Sequence, residues 1–310
     1  MKIISGTSNH PLGEEIAAHL NVSLVQATIQ RFADREVFVE VQESVRGQDI
    51  FVVQPTSSPT SDTLMELLVT VDALKRGSAK SITAVIPYYG YGRQDRKTAP
   101  RSPISAKLVA NLLTVAGTNR VLTIDWHSGQ IQGFFDIPTD NLTLAPLFCR
   151  HIQARYHEKP VVIVSPDVGG VVRARTVAEP LAADMAIIDK RRSHTGEAVV
   201  MNLMGDVKGR ACVLIDDMAD SAGTLCQAAE ALKSAGATTI DAYVSHGVLS
   251  GDALKKIDES PLGRLIVSDT IQPLPAVLNA PKVEILTVAP LLGEAIHRIA
   301  HDQSISSLLR

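Results

Sequence analysis

The sequence has few cysteines, little net charge and no long apolar runs. Its three cysteines, Cys149, Cys212 and Cys226, are scattered and lack metal-site spacing, so we expect reduced thiols in a core. The formal net charge is −3, so nothing argues for nucleic-acid binding, and local clusters must hold any anionic ligand. No apolar run approaches the ~20 residues that cross a bilayer, and acids follow the N-terminus too soon for a signal peptide. We therefore expect a cytoplasmic protein with neither a membrane nor a nucleic acid as partner.

Short apolar runs alternate with amphipathic helical patterns along the 310-residue chain. The apolar runs are continuous, which predicts strands that are buried on both faces. Repeated strand–helix units of this kind predict an α/β fold of parallel sheets covered by helices. We predict two doubly wound parallel-sheet domains, at residues 1–145 and 146–290, with the amphipathic segment 290–310 packing back on the first. The segment REVFVEV, residues 35–41, does alternate and predicts an edge strand or an antiparallel strand.

Polar and charged residues follow many of the predicted strands at the point where each strand ends. In open parallel sheets, ligands bind beyond the carboxyl ends of the strands. The strand-end segments are PYYGYGRQDRK (87–97), DWHSGQIQGFFDIPTD (125–140), SPDVGG (165–170), DKRR (189–192) and DDMADSAGT (216–224). We therefore expect these segments to carry the functional residues.

The segment VLIDDMADSAGTL, residues 213–225, ends an apolar run with carboxylates and places small residues before a helical pattern. A short loop of small residues and a helix N-terminus both direct backbone N–H groups at one point, which suits a phosphate. The hydroxyls of Ser221 and Thr224 can donate to the same anion. Asp216 and Asp217 would accept hydrogen bonds from sugar hydroxyls or hold a hydrated Mg²⁺.

A structural alternative explains part of the same segment. Asp220 or Ser221 would cap the helix that starts near Gly223, a common role for both residue types. Two acids directly after an apolar run favour the interpretation as a ligand site.

This segment is similar to the phosphoribosyl-diphosphate (PRPP) loop of two families, the type I phosphoribosyltransferases and the ribose-phosphate diphosphokinases. The other motifs resemble the second family: RFADRE, VRGQDIFVVQPT, PYYGYGRQDRK, DWHSGQIQGFFDIPTDNL, SPDVGGVVRA, IIDKRR and NLMGDVKGR. The resemblance extends over nearly the whole chain. It implies two type I phosphoribosyltransferase-like domains and transfer of the β,γ-diphosphoryl group of ATP to the 1-hydroxyl of ribose 5-phosphate, with Mg²⁺. The implied products are PRPP, for nucleotide biosynthesis, and AMP.

The resemblance also implies an assembly and its regulation. Class I members of the family are homohexamers that inorganic phosphate activates and ADP inhibits. We therefore expect a homo-oligomer with phosphate and ADP as allosteric ligands.

By the same resemblance, two segments contact ATP. Arg93 and Gln94 follow a turn rich in glycine and tyrosine, and they match positions that contact ATP. The alternative is a solvated surface cluster, which is the more usual role of such a run of charged residues. The family segment Phe-x-Asp-Gly-Glu, which binds the adenine across a subunit boundary, is matched here by Phe32, Asp34 and Glu36. Arg35 stands where the family has glycine, which adds a guanidinium group near the nucleotide.

Family positions that are associated with Mg²⁺ match His127 and Asp167. A wider acidic metal-binding segment is matched here by Asp125, Asp136 and Asp140. The alternatives are structural: a satisfied histidine at a strand end for His127, and a helix cap for Asp167. A carboxylate suits Mg²⁺ bridged to phosphates, so Asp167 need not give up either role. Trp126 stands where leucine is usual, and we expect it to pack in a core.

The implied catalytic residues are Lys190, Arg192 and His127. Lys190 and Arg192 match positions on a flexible loop that closes over ATP and stabilises the transition state. After Arg192 the sequence is polar and lacks a helical period, which predicts a loop, although a basic surface turn is the alternative. A closing loop would exclude water, which the transfer to a sugar requires.

The implied ribose 5-phosphate site consists of Asp216, Asp217, Asp220, Ser221, Ala222, Gly223 and Thr224. The family commonly has Asp-Thr-Gly-Gly-Thr or Asp-Thr-Cys-Gly-Thr where this chain has Asp-Ser-Ala-Gly-Thr. Serine keeps the hydroxyl and alanine is nearly as small as glycine, so we expect the phosphate cradle to persist.

Two other functions compete with this interpretation. A phosphoribosyltransferase that consumes PRPP would explain segment 213–225 but neither the ATP-type strand ends nor the two-domain length. A non-catalytic relative that regulates synthetase subunits should have lost the residues of the chemistry, which are all present. Only the departure at Arg35 favours the non-catalytic relative.

Overall fold

The structure is a computed structural model that describes residues 1–157, 159–192 and 199–309. Within these residues, the chain divides into two compact units. The first comprises Met1–Thr143, Thr270–Gln272 and Thr287–Arg310, and the second comprises Leu144–Asp269 and Pro273–Leu286. No helix in the described part of the chain combines the length and the hydropathy of a membrane span.

The first unit contains a parallel sheet and a separate antiparallel ribbon. The sheet strands are β1 (Lys2–Ser5), β4 (Asp49–Val53), β5 (Ser81–Ile86), β6 (Arg120–Ile124) and β7 (Thr139–Leu142), and the ribbon strands are β2 (Ala27–Arg31) and β3 (Val37–Val41). The helices are α1 (His10–His19), α2 (Thr60–Arg76), α3 (Ser105–Ala116) and α9 (Ala289–Ala300), with 3-10 helices at Gly129–Phe134 and Ser306–Leu309. The sheet order is β1-β4-β5-β6-β7, and every neighbouring pair is parallel.

Continuous apolar strands bury both faces of this sheet. Successive side chains of a strand point to opposite faces. Ile50 and Val52 of β4 pack into a core with Leu67 and Leu74 of α2. Phe51 lies between them on the other face and is only 2% exposed. The prediction of a doubly wound parallel sheet is therefore confirmed in this unit.

The final helix, α9, packs against α1 within the first unit. A Cβ atom on Gly293 would lie 2.5 Å from Cδ2 of His19, so a larger residue there would require the His19 side chain to move. Just before α9, the hydroxyl of Thr287 donates a hydrogen bond of 2.9 Å to Glu15 of α1. These contacts attach the end of the chain to the first unit.

The alternating segment 35–41 forms part of the antiparallel ribbon. Strand β3 pairs with β2 in the register Arg31 to Val37 and Ala27 to Val41. The ribbon also contacts α2 through β3. The prediction of an antiparallel strand is thus confirmed, and residues 32–36 form the turn of the ribbon.

The second unit is a larger sheet with helices between its strands. The strands are β8 (Val161–Ser165), β9 (Asp184–Arg192), β10 (Val199–Met204), β11 (Ala211–Ala219), β12 (Thr239–Gly247), β13 (Arg264–Ser268) and β14 (Val283–Leu286). The helices are α4 (Ala145–Tyr156), α5 (Val171–Ala178), α6 (Gly223–Ser234), α7 (Ala253–Glu259) and α8 (Pro275–Leu278). The strand order is β10-β9-β8-β11-β12-β13-β14, and all pairs are parallel except β9 with β10. An antiparallel edge strand on a parallel sheet is common.

Two strands of this unit continue further than the sequence pattern predicts. The prediction that a strand ends before Asp216 is wrong, because β11 runs on to Ala219 and its last residues pair with the long strand β12. Strand β9 runs through Arg192, which pairs with Val199 of β10. Residues 193–198 of the expected catalytic loop lie outside the described residues.

The cysteines belong to the second unit and are free thiols. Cys149 and Cys212 are buried and Cys226 is half-buried. Burial raises the pKa of Cys212 to about 11, so its thiol stays protonated near neutral pH. The prediction of reduced core thiols is confirmed for the two buried residues.

The packing of α2 gives a prediction about the stability of the first unit. Leu67 is 0% exposed, whereas Met65 on the same helix is 53% exposed. Leu67→Ala should lower the free energy of unfolding by about 2–5 kcal/mol, since it opens a cavity beneath the sheet. Met65→Ala is the matched control and should change it by less than about 1 kcal/mol. Urea denaturation monitored by circular dichroism measures both, and equal losses would contradict the proposed packing.

Candidate active site

The turn between β11 and α6 has the geometry of an anion cradle. Residues 220–222 connect the two elements, and Ala222 is the N-cap of α6. Its methyl group cannot accept a hydrogen bond, and the first N–H groups of a helix have no partner within the helix. The hydroxyl-bearing side chains of Ser221 and Thr224 are exposed beside them. This end of α6 can therefore bind a phosphate group.

Ala222 occupies a backbone conformation that glycine adopts more easily. Its φ is +56°, in the left-handed region, and it is 4% exposed. An alanine there costs about 1 kcal/mol relative to the right-handed region, whereas glycine adopts both regions freely. Ala222 therefore keeps the shape of the cradle at a small cost in conformational energy.

The loop after β12 and the helix α7 that follows it support this turn. Ser250 donates its hydroxyl to Oδ1 of Asp220 and its N–H to the Asp220 carbonyl, the latter over 3.0 Å. Lys256 Nζ donates to the Ser221 carbonyl over 3.4 Å. Ser250 and Lys256 were not among the predicted site residues, because they follow a different strand and belong to no recognised motif.

Asp216 and Asp217 form ion pairs with the same arginine, which lies on the helix that follows the neighbouring strand β8. Arg173 of α5 places Nη1 3.1 Å from Oδ1 of Asp216 and 3.1 Å from Oδ1 of Asp217. The Asp217 side chain is 4% exposed and that of Asp216 is 16% exposed. Buried charges of one sign need a counter-charge, and Arg173 supplies it for both acids.

The two acids are coupled electrostatically. Burial, followed by the charge of Asp217, raises the pKa of Asp216 to about 7, while Arg173 acts in the opposite direction. Because the groups interact, a proton near neutral pH belongs to the acid pair and not to one residue. A ligand that donates hydrogen bonds to these carboxylates would favour the ionised form.

Asp167 combines a structural contact with an available oxygen. Its Oδ1 accepts a hydrogen bond of 2.9 Å from the N–H of Gly170, which precedes α5, and its carbonyl accepts one of 2.7 Å from Ser165. Its Oδ2 makes no hydrogen bond with any residue that the structure describes. The N-cap of α5 is Gly170, so the predicted alternative of Asp167 as a helix cap is wrong. The side chain instead closes the turn before α5 and keeps one oxygen for a ligand.

In the first unit, the loop after β6 carries Asp125, Trp126 and His127. Asp125 has φ +38°, and its N–H bonds to the Leu142 carbonyl over 2.9 Å. Trp126 is 6% exposed and stacks on Phe135 at 5.9 Å, which agrees with its expected packing role. The next residue, His127, is exposed. The buried tryptophan therefore anchors a loop that presents the histidine to solvent.

The other predicted acids of this segment lie elsewhere. Asp136 is exposed after the 3-10 helix. Asp140 lies within β7 and forms an ion pair of 2.5 Å with Arg120 at the start of β6. Among residues 1–157, 159–192 and 199–309, no group of three or more His, Cys, Asp or Glu side chains is arranged to hold a metal ion. The structure thus does not bring the predicted metal-binding residues into one such cluster.

The segment after β5 forms a tight loop that presents Arg93. A Cβ atom on Gly90 would lie 2.3 Å from the carbonyl oxygen of Thr56, so the backbone approach requires glycine. Gln94 accepts a 2.6 Å hydrogen bond from the hydroxyl of Ser105, at the start of α3. Both Arg93 and Gln94 are exposed, and β5 neighbours β6, so their loops lie at the same edge of the sheet.

The ribbon turn holds the predicted adenine residues in a defined shape. The N–H of Phe32 donates to the Glu36 carbonyl over 2.9 Å, and the N–H of Glu36 donates to Oδ1 of Asp34 over 3.1 Å. Arg35 has φ +73°, so it takes the left-handed conformation that the family's glycine would adopt. Phe32 is 51% exposed. The turn therefore presents an aromatic ring and two carboxylates to solvent.

Lys190 and Arg192 lie at the end of β9. Their backbones pair with Met201 and Val199 of β10. Because β9, β8 and β11 are adjacent, these two residues lie in the same sheet as the acid pair of β11, and Asp167 follows the strand between them.

The raised pKa of Asp216 predicts how stability depends on pH. In the folded protein the acid pair keeps one proton up to about pH 7, whereas an unfolded aspartate loses its proton near pH 4. Its contribution to stability is therefore fully present below pH 4 and is lost as the pH rises through 7. The free energy of unfolding of the Asp216→Asn variant should be higher than that of the wild type by up to about 4 kcal/mol at pH 8. At pH 4 the difference should be much smaller.

Urea denaturation of both proteins at a series of pH values measures this difference. Asp258→Asn, at an exposed aspartate of α7, is the control and should show no such trend. A stability difference between Asp216→Asn and the wild type that is constant from pH 4 to 8 would rule out the raised pKa.

The chain is similar to known proteins over its whole length. Residues 1–117 match the N-terminal domain of ribose phosphate pyrophosphokinase, and residues 191–310 match the phosphoribosyl synthetase-associated domain. Ribose-phosphate pyrophosphokinases of Granulibacter bethesdensis and Agrobacterium fabrum are 59% and 57% identical to it, over 99% of each chain. The crystal structure of phosphoribosylpyrophosphate synthetase from Mycobacterium smegmatis is 40% identical. It covers 97% of this chain and 99% of its own, with a TM-score of 0.92. The chain therefore belongs to the ribose-phosphate pyrophosphokinase family, with its two-domain fold of the type I phosphoribosyltransferase kind.

Proposed function

We propose that this chain is a ribose-phosphate pyrophosphokinase, which transfers the diphosphoryl group of ATP to the 1-hydroxyl of ribose 5-phosphate. The products are PRPP, for nucleotide biosynthesis, and AMP. The observation that carries the proposal is the 59% identity to a full-length relative of that name, over 99% of both chains. The alternative of a phosphoribosyltransferase does not account for similarity that includes both units.

The β11–α6 turn binds ribose 5-phosphate in this proposal. The N–H groups at the start of α6 and the hydroxyls of Ser221 and Thr224 take the 5-phosphate. Asp216 and Asp217 accept hydrogen bonds from the ribose hydroxyls. Arg173 offsets the charge of these acids, so the bound phosphate meets less repulsion than two unpaired carboxylates would cause. The remaining loop residues of the assignment are Asp220, Ala222 and Gly223.

ATP is assigned to loops that carry cations and an exposed aromatic ring. Arg93 and Gln94 contact ATP, and the adenine contacts come from the ribbon turn, at Phe32, Asp34 and Glu36. In the reaction the 1-hydroxyl oxygen bonds to the β-phosphorus of ATP, and AMP leaves. This reaction mainly requires stabilisation of the negative charge on the oxygens of the transferred phosphoryl group. Lys190 and Arg192 are assigned to stabilise that charge, with His127 as a further catalytic residue.

One carboxylate of the second unit, that of Asp167, fits the Mg²⁺ that the family chemistry implies. Mg²⁺ usually takes one or two carboxylates and completes its shell with phosphate oxygens and water. Asp167 is suited to it through Oδ2, and Asp125 and Asp136 are further candidates. His127 is assigned by resemblance, and Asp140 is less suited because it already pairs with Arg120. The cation would neutralise charge on the phosphoryl oxygens.

Further proposals follow from the family. The two domains are residues 1–145 and 146–290, with 290–310 packed on the first, and the protein works in the cytoplasm. It assembles as a homo-oligomer, a hexamer by resemblance, with phosphate and ADP as allosteric ligands.

The products of the reaction test the proposed function. Purified protein with ATP, Mg²⁺ and ribose 5-phosphate should form AMP and PRPP in equal amounts, since one bond to the β-phosphorus is exchanged for another. Nucleotides separated by ion-exchange chromatography and PRPP measured by a coupled assay give the ratio. ADP as the nucleotide product would indicate transfer of the γ-phosphoryl group and would refute the proposal.

Binding of ribose 5-phosphate should release a proton from the acid pair. Ribose hydroxyls that donate to Asp216 favour its ionised form, so binding should lower a pKa that lies at about 7 in the free protein. Affinity should therefore rise between pH 6 and pH 8. Calorimetry in two buffers of different ionisation enthalpy counts the released protons.

Asp216→Asn is the control in this experiment, because both proteins bind the same phosphate group. The variant should release fewer protons and bind with a weaker dependence on pH. Equal proton release by the two proteins would place the ribose hydroxyls away from Asp216.

A further inference from the structure

A buried carboxylate outside the predicted site joins three segments of the first unit. Glu66 lies on α2 and is 1% exposed. Its Oε1 accepts hydrogen bonds from the Thr7 N–H at 2.7 Å and from Gln54 Nε2 at 2.9 Å. Its Oε2 accepts one from the Thr7 hydroxyl at 2.7 Å and one from Arg31 Nη2 at 3.4 Å. One side chain thus connects the loop after β1, the end of β4 and the ribbon.

The network around Glu66 is closely packed. The hydroxyl of Ser8 donates to Oε1 of Gln54 over 2.8 Å, so both the oxygen and the nitrogen of the Gln54 amide are hydrogen-bonded. A Cβ atom on Gly6 would lie 2.1 Å from the same Gln54 oxygen. Glu66 therefore has little room to change its orientation, and the contact with Arg31 has a fixed anchor.

Arg31 connects this anchor to the ribbon turn. It is the last residue of β2 and directly precedes Phe32. Besides Glu66, its guanidinium group lies 3.8 Å from Asp62, which is also on α2. The Arg31 side chain is 29% exposed, so the ion pair is partly shielded from water. Two carboxylates of one helix therefore hold the residue at which the turn begins.

We infer that Glu66 and Arg31 are positioning residues for the nucleotide: they hold the ribbon turn in the orientation that the adenine of ATP requires. The inference rests on the proposed function, which assigns Phe32 and its neighbours to the adenine. Hydrogen bonds within the turn fix its shape, but they do not fix its direction relative to the sheet. That direction is set where the ribbon meets α2, through the contact of β3 and through the ion pair at the end of β2, next to the turn.

Steady-state kinetics of Arg31→Gln test this role, because glutamine removes the charge and keeps much of the side chain. We expect the KM for ATP to rise about fivefold or more, which corresponds to the loss of about 1 kcal/mol. The KM for ribose 5-phosphate should change less than twofold. The ratio of kcat/KM for ATP to that for GTP should fall, because a displaced turn recognises the base less well. Arg31→Lys, which keeps the charge, should recover part of both effects.

Glu66→Gln should act in the same direction, and its thermal unfolding reports whether the buried change disturbs folding. In the double variant with Arg31→Gln, the KM for ATP should be no higher than in Arg31→Gln alone, because that change already breaks the contact with Glu66. Arg76→Gln is the matched control, since Arg76 pairs with Asp72 on the exposed side of α2 and should leave both KM values unchanged.

The outcomes separate the inference from the proposed function. Formation of AMP and PRPP by the wild type tests the function alone. If Arg31→Gln lowers thermal stability but leaves the KM for ATP and the base preference unchanged, the ion pair is structural only and the inference is wrong. An equal rise of both KM values in Arg31→Gln would also overturn it.

Discussion

Parallel pairing of buried strands is the constraint on which the rest of each unit depends. Pairing satisfies the backbone hydrogen bonds of the strands, and apolar side chains cover both faces of the sheet. Polar functional residues therefore lie mainly near the carboxyl ends of the strands. In the second unit, β9, β8 and β11 are neighbours. This order brings together DKRR at the end of β9, Asp167 just after β8 and the acid pair in the last part of β11. Arg173 reaches both acids because its helix follows β8, which lies directly beside β11. The electrostatics of the acid pair are thus a product of strand order.

The second unit combines groups of opposing chemistry. Carboxylates suit sugar hydroxyls, and a helix N-terminus with hydroxyl groups suits a phosphate, yet carboxylates and phosphate repel each other. Arg173 reduces this repulsion because it neutralises much of the charge of the two acids. Burial also raises the pKa of Asp216, so the negative charge of the pair is smaller still near neutral pH. Ribose 5-phosphate, which carries hydroxyls and a phosphate on one small molecule, has the chemistry that such a site can bind.

Much of the fold and part of the site could be predicted from the sequence. Continuous apolar runs predict buried parallel strands because that pattern is local, and the motifs identify the strand-end segments. The contacts of Arg173 and the pairing of Asp140 with Arg120 depend on strand order and register, which no local pattern contains. The extension of β11 past its acids depends on the length of β12. Glu66 looks like an ordinary helix glutamate, and only its burial among Thr7, Gln54 and Arg31 reveals its role.

Ala222 and Arg35 have a consequence for how well the two turns tolerate substitution nearby. Each carries a β-carbon at a left-handed position, which glycine would adopt without strain. Each turn therefore stores about 1 kcal/mol of conformational energy, which the contacts around it must offset. Where such a contact is lost, for example that of Ser250 with Asp220, the stored strain favours local opening of the turn.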